Sequence, residues 1–207
     1  MRKNIALLAM VFLLVSLVGC GNEMGDISLK SGECGIYISS DGKANYAVKD
    51  DFSQEYLKKS ELEEKANKEV ENFNYIEGSV GEAMELKEVS VEDKQAYVQF
   101  SFVTLYDLTK YINTFENIDN DRFYIGGIAD YKIKDDSLKL KSIDKKNEVS
   151  FKDLSKKSYY VFFTKKQTKF QVDGKIKYIS ENCKVNGKVI TTEDEYDSYI
   201  IFEIDNK

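Results

Sequence analysis

Residues 159–163 read Tyr-Tyr-Val-Phe-Phe. Successive side chains of a strand point to opposite faces, so this run offers bulky apolar groups to both sides. It reads as a central strand buried on both faces. Other strands are half-buried. Ala96, Val98, Phe100 and Phe102 alternate with Tyr97, Gln99 and Ser101, the period expected of a sheet with one covered face. Met84 and Leu86, then Val89 and Val91, predict one strand with a slip in register. Ile36–Ile38 and Asn45–Val48 flank Asp41-Gly42, and Asn186-Gly187 is a second tight-turn signal, so two hairpins are expected. Short strands around Phe170–Val172, Ile176–Ile179, Val185, Val189–Ile190 and Tyr199–Ile204 follow.

Two segments have helical period instead. Leu62, Ala66, Val70 and Phe73 share one face of a long, Glu-rich helix, with Ser60 and Glu63 as a capping box. A shorter amphipathic turn around Phe52, Tyr56 and Leu57 is expected just before it. Thr104 and Asp107 open a second helix of about three turns, with Leu105, Leu108, Ile112 and Phe115 on its apolar face. The expected fold class is α+β: an antiparallel sheet, one long acidic helix, one shorter helix and a β-rich C-terminal half. A single domain over 34–207 is expected, the alternative being two subdomains divided near residue 120.

The N-terminus carries a different message. Arg2 and Lys3 precede a 14-residue apolar run, Ile5–Val18, broken only by Ser16. A bilayer span needs about 20 apolar residues, so the run suits the core of a signal peptide, 1–19. It ends in Leu17-Val18-Gly19-Cys20, which resembles the lipobox of bacterial lipoproteins. That resemblance implies cleavage before Cys20, a diacylglyceryl group on its sulfur, and a location on the extracytoplasmic face of the cell membrane. Residues 20–33 then read as the lipidated Cys followed by a Gly-, Ser- and acid-rich tether, with a flexible reach of about 20 Å.

Composition removes much chemistry. Among 207 residues there is no His, no Pro and no Trp, which excludes Ser–His and Cys–His nucleophiles, His-ligated metals and imidazole acid–base catalysis. Cys34 and Cys183 remain after export, in an oxidising compartment. They are either bridged, closing most of the mature chain, or two buried inert thiols. Asn117, Asp119 and Asp121 have the opening spacing of a calcium loop, but Arg122 stands where Gly is needed and Ile128 where Glu belongs. Glu193, Asp194, Glu195 and Asp197 form an acidic cluster best read as a solvated turn. Two Ser-x-x-Lys matches, Ser40–Lys43 and Ser142–Lys145, are at chance frequency. No metal or cofactor is expected. The 14 Tyr are read mainly as packing residues on strands.

Charge is segregated along the chain. Residues 21–131 carry 11 Lys and Arg against 23 Asp and Glu, 132–190 carry 16 against 7, and 191–207 carry 1 against 6. Lys132, Lys134, Lys139, Lys141, Lys145 and Lys146 are the densest part of the basic segment. They read either as a contact surface for anions or as lysines guarding sheet edges.

From Gly35 to Asn74 the GIYI, DG turn, DDF, EL and EVENFN stretches, with the later GKIKYIS, resemble uncharacterised lipoproteins of clostridia-type Gram-positive bacteria. The resemblance implies the address and an α+β layout, and no functional residue. The expected function is that of a lipid-anchored cell-surface protein with a non-catalytic binding or accessory role in the envelope. Its partners would be the membrane through the anchor, and another envelope protein, a peptide or an anionic wall polymer, not nucleic acid. The alternative is a carboxylate-dependent hydrolase acting on cell-wall glycans.

Overall fold

The structure, a computed structural model, describes residues 24–77, 82–115, 122–133, 137–144 and 146–205. The run that opens the sequence argument becomes β8 (Tyr160–Thr164). It lies inside a six-stranded sheet, between β5 (Phe123–Gly127) and β13 (Ser198–Ile204), followed by β10 (Gly174–Ile179), β6 (Lys139–Ser142) and β7 (Glu148–Ser150). Phe162 points into one core, and Val161 and Phe163 point into another. Both faces are therefore covered. The second core is closed by α3 (Phe151–Leu154), with Phe151 and Leu154 buried, and by Tyr131 and Ile133.

The larger core lies between this sheet and a second one of seven strands. Its order is β11 (Lys184–Asn186), β12 (Val189–Thr191), β9 (Lys169–Val172), β1 (Glu33–Ile38), β2 (Ala44–Asp51), β4 (Gln95–Phe102) and β3 (Met84–Glu92). Ile36, Ile38, Tyr46, Phe100, Phe102 and Phe170 face Phe162, Ile200 and Phe202 across it. Both predicted hairpins form, β1–β2 and β11–β12, and the expected register slip in β3 is a bulge between Leu86 and Glu88.

The single antiparallel sheet expected from sequence is thus two sheets, and one pair, β1 with β9, is parallel. The chain passes from one sheet to the other after β8 and returns within Val172–Gly174. Period-two patterning assigns faces but not partners, so it is blind to that crossing. Gly174 makes the return feasible: a Cβ there would lie 1.9 Å from the Glu203 carbonyl oxygen. Because β9, β11 and β12 join β1–β4 in one sheet, segments before and after residue 120 share one core.

α1 (Lys59–Glu77) and α2 (Leu105–Phe115) close the larger core. α1 begins one residue before Ser60, so Ser60 lies within the helix and not at its cap. The turn expected around Phe52–Leu57 is not helical. In α2 the box is present: Thr104 and Asp107 exchange side-chain and backbone hydrogen bonds at 3.0 and 3.1 Å. Tyr111, absent from the predicted apolar face, is buried among Tyr46, Phe73, Phe100, Phe102 and Phe115, and its hydroxyl donates to Glu69 at 2.8 Å. The helices also shield sheet edges. Asn74 of α1 bonds both the N–H and the C=O of Met84 on β3, and Thr109 of α2 does the same for Ile125 on β5.

The tether expected over 20–33 needs correction for its described part. Residues 24–33 form a strap docked on the outer face of the seven-stranded sheet. Met24 and Ile27 are 2% and 6% exposed and pack on Ala47. Gly35 and Ala47 have little or no side chain on that face, which leaves a trough. A Cβ on Gly35 would meet Ile27, Leu29 and Met24 at 2.9, 3.2 and 3.4 Å. The Asp26 N–H donates to Gln171 (2.8 Å), and Lys169 bonds both the Ser28 carbonyl and Glu33 (each 2.6 Å). Composition suggested flexibility, but Met24, Ile27 and Leu29 are apolar anchors in an otherwise polar stretch.

Candidate functional site

The β1–β2 hairpin turn, 39–43, is held by its own side chains. Ser39 donates to Asp41 (2.5 Å) and to the Lys43 carbonyl (3.1 Å), and Gly42 takes φ +83°. Three hollows open around this turn, at one end of the paired sheets. The first, about 530 Å³, lies on the outer face of the seven-stranded sheet. Its floor is a row across four paired strands, Tyr37, Asn45, Ser101 and Glu85. Asp41, Lys43, Glu82 and Lys87 rim it. The second, about 510 Å³, lies where β9 crosses to β10, with Asp173, Asp205 and Lys188 around Val172 and Ile176. The third, about 660 Å³, is the most apolar, between Val103–Tyr106 and Tyr124–Gly127.

The electrostatics of these walls are those of fixed acceptors. The Ser39 hydroxyl, then the Lys43 N–H and ammonium, hold the Asp41 carboxyl below its usual range. Burial, then a hydrogen bond to Asp173, pushes the Tyr37 phenol upward, so it stays protonated and donates. A general acid of a glycosidase needs a carboxyl raised by its surroundings. Asp41 is shifted the other way. The first hollow therefore presents hydroxyls, an amide, carboxylates and ammonium groups to a hydrogen-bonding ligand, with no general acid at Asp41.

The residues singled out from sequence are distributed as follows. Cys20 and the apolar run before it lie outside the described residues. Cys34 and Cys183 are both buried thiols. The bridge considered between them is not formed, and the sheet order explains why. Cys34 sits on β1 and Cys183 immediately precedes β11, with β9 and β12 between. Three strand spacings separate them by about 14 Å, about twice what a disulfide spans. Cys34 contacts the Gln167 carbonyl and Thr168, while Cys183 contacts Ser180 and Tyr199, and burial raises its thiol pKa. They are packing residues.

Of the six lysines, Lys134 and Lys145 lie outside the described residues. Lys141 pairs with Glu181 at 2.6 Å and Lys146 with Asp144 at 3.5 Å, while Lys132 and Lys139 are exposed. Several further lysines of the basic segment fold back onto acids. Lys165 meets Asp197, Lys169 meets Glu33, Lys177 meets Glu203 and Lys184 meets Glu193. Charges segregated along the chain are mixed in space. The same pairing occupies the acidic cluster, where Glu195 meets Arg122 and Asp194 accepts from the Gln167 N–H. No metal-binding group of three ligands occurs among the described residues. The calcium-loop spacing at 117–121 lies outside them.

The hollow-lining residues Tyr37, Asn45, Ser101 and Glu85 carried no sequence signal beyond their outward phase. Phase says which side chains leave the core, not which of them converge in a concavity. No described helix is long and apolar enough to cross a membrane. Compared with protein-family models, curated proteins and solved structures, the chain matches none.

Proposed function

We propose that this chain is a lipid-anchored protein of the extracytoplasmic membrane face, held through Cys20, with a non-catalytic binding or accessory role in the envelope. The observation that carries the binding reading is the polar hollow on the sheet face, with its floor row Tyr37–Asn45–Ser101–Glu85. Its mixture of donors and acceptors suits a hydrogen-bonding strand such as a peptide segment of the wall or of another envelope protein. A long anionic polymer fits less well, because Lys141, Lys165, Lys169, Lys177 and Lys184 of the basic segment are paired with acids.

The test is co-sedimentation with purified wall material. Ser101→Arg fills the hollow from its floor and is expected to cut binding at least tenfold. Lys139→Glu with Lys141→Glu should leave it within twofold. Binding that survives Ser101→Arg but collapses with the lysine changes and with added salt would replace this reading with the anionic polymer. The second reading, a carboxylate-dependent hydrolase of wall glycans, draws on Asp41, Glu82 and Glu85 lining one hollow. Release of reducing ends from wall glycan, abolished by Glu82→Gln or Glu85→Gln, would establish it.

A further inference from the structure

We infer that the end of the domain bearing the 39–43 turn rests on the lipid surface, apolar side chains first. The inference depends on lipidation of Cys20, as proposed above. If Cys20 is in the bilayer, the free length that matters runs only to the first docked residue. Among the described residues that is Met24, 2% exposed in the trough beside Ala47. Four residue steps span at most about 14 Å, well short of a thirteen-residue flexible tether.

Where the strap begins decides which end is held down. Gly25 and Asp26 lie on Gln171, which is aligned with Tyr37 near the turn, whereas Ser28 and Lys30 lie toward Lys169 and Glu33 at the start of β1. The strap therefore enters at the turn end and runs away from it. The opposite end, where β2 finishes at Asp51 and Tyr56 follows, is about 25 Å further on, judged from eight residues of strand.

The turn end also has the surface for such a contact. Val103, Tyr106 and Ile143 are 52%, 66% and 37% exposed, and all three line hollows around the turn. Exposed Val and Ile beside an exposed Tyr are what an interfacial contact uses. Lys43, Lys87 and Lys188 there are outnumbered by Asp41, Glu82, Glu85, Asp173 and Asp205, so this end offers no cationic surface to anionic headgroups. The contact is therefore apolar and lipid-tethered, and it is insensitive to salt. A ligand of the hollows would reach them along the membrane surface.

The chain has no Trp, so single Trp reporters are unambiguous. The lipidated full-length mature protein, carrying either Tyr106→Trp or Tyr56→Trp, is placed in phosphatidylcholine vesicles containing a headgroup-nitroxide lipid. Both positions are exposed, 66% and 73%, so both variants fold. Quenching at position 106 should exceed that at 56 at least threefold, at low and high salt alike. Met24→Asp with Ile27→Asp frees the strap and should erase the difference while the protein stays membrane-bound. Equal quenching in the lipidated protein would overturn the orientation and leave the anchor standing. An unmodified Cys20 by mass spectrometry would overturn both.

Discussion

Gly35→Ala tests whether the strap is held by the trough beneath it. The new Cβ would lie 2.9 Å from Ile27 Cγ2, 3.2 Å from Leu29 Cδ2 and 3.4 Å from Met24 Cε. All three are side-chain ends of the strap, so the strap yields and the sheet does not. Overpacking of this kind costs about 1–3 kcal/mol. Gly35 is outside the left-handed region, so Ala adds no backbone strain there. The strap opens while β1 stays folded, so the full cost of about 1–3 kcal/mol falls on it and corresponds to opening that is roughly 5- to 150-fold more frequent. Native-state hydrogen exchange reads this directly. The Asp26, Ile27 and Gly32 amides, bonded to Gln171, Met24 and Lys49, should exchange faster by that factor. Amides of β4 should not change. Uniform acceleration across β4 would place the cost in the sheet. No acceleration in the strap would refute the trough as its binding site.

Asn74→Ala removes both bonds to the Met84 backbone and should destabilise by about 1–3 kcal/mol in thermal unfolding, with Asn67→Ala near neutral as the exposed control. Gly174→Ala drives a Cβ into the Glu203 carbonyl, so the melting temperature should fall by about 4–12 °C at roughly 2–3 kcal/mol; a fall under 1 °C would show that β10 and β13 separate freely. Glu33 has its pKa lowered: burial alone would raise it, but the Lys169 hydrogen bond and the Lys30 N–H outweigh burial. Its stabilising contribution is therefore present above the ordinary value of 4.5 and lost as pH falls through the lower folded value. The strap should loosen in that acid window, and Lys169→Met should flatten the dependence measured by exchange at Gly32. In Cys20→Ser protein kept without reductant, thiol reagents should find two groups after denaturation and almost none before; a mass lower by 2 Da would mean a bridge and a wrong sheet order.

Much of the local structure is legible in the residues. The hairpin at Asp41-Gly42, the slip in β3, the box at Thr104–Asp107 and the two-faced β8 follow from side-chain period, turn chemistry and backbone sterics, which act within a few residues. What the residues left open lies at longer range. Cys34 and Cys183 allowed a bridge or two buried thiols because sequence shows parity and not distance, and the two strands between them decide for the thiols. The 132–190 segment left an anion surface and edge-guarding lysines both open because net charge is counted along the chain. Lys165, Lys177 and Lys184 meet their acids only after β9–β13 fold together. Residues 24–33 read as a tether because composition is an average, and the anchors Met24, Ile27 and Leu29 are enough when a Gly–Ala trough lies opposite.

The strand and helix segments and their buried faces were legible in the residues because each depends on neighbours in the chain, and the same kind of local signal in Leu17–Cys20 carries the proposed address. The division of the strands into two sheets, the placing of β9 beside β1 and the gathering of three hollows at one turn came from packing. So did the seat of the strap along Gly35 and Ala47. Those outcomes depend on which distant surfaces meet, and period, charge and composition carry no record of partners.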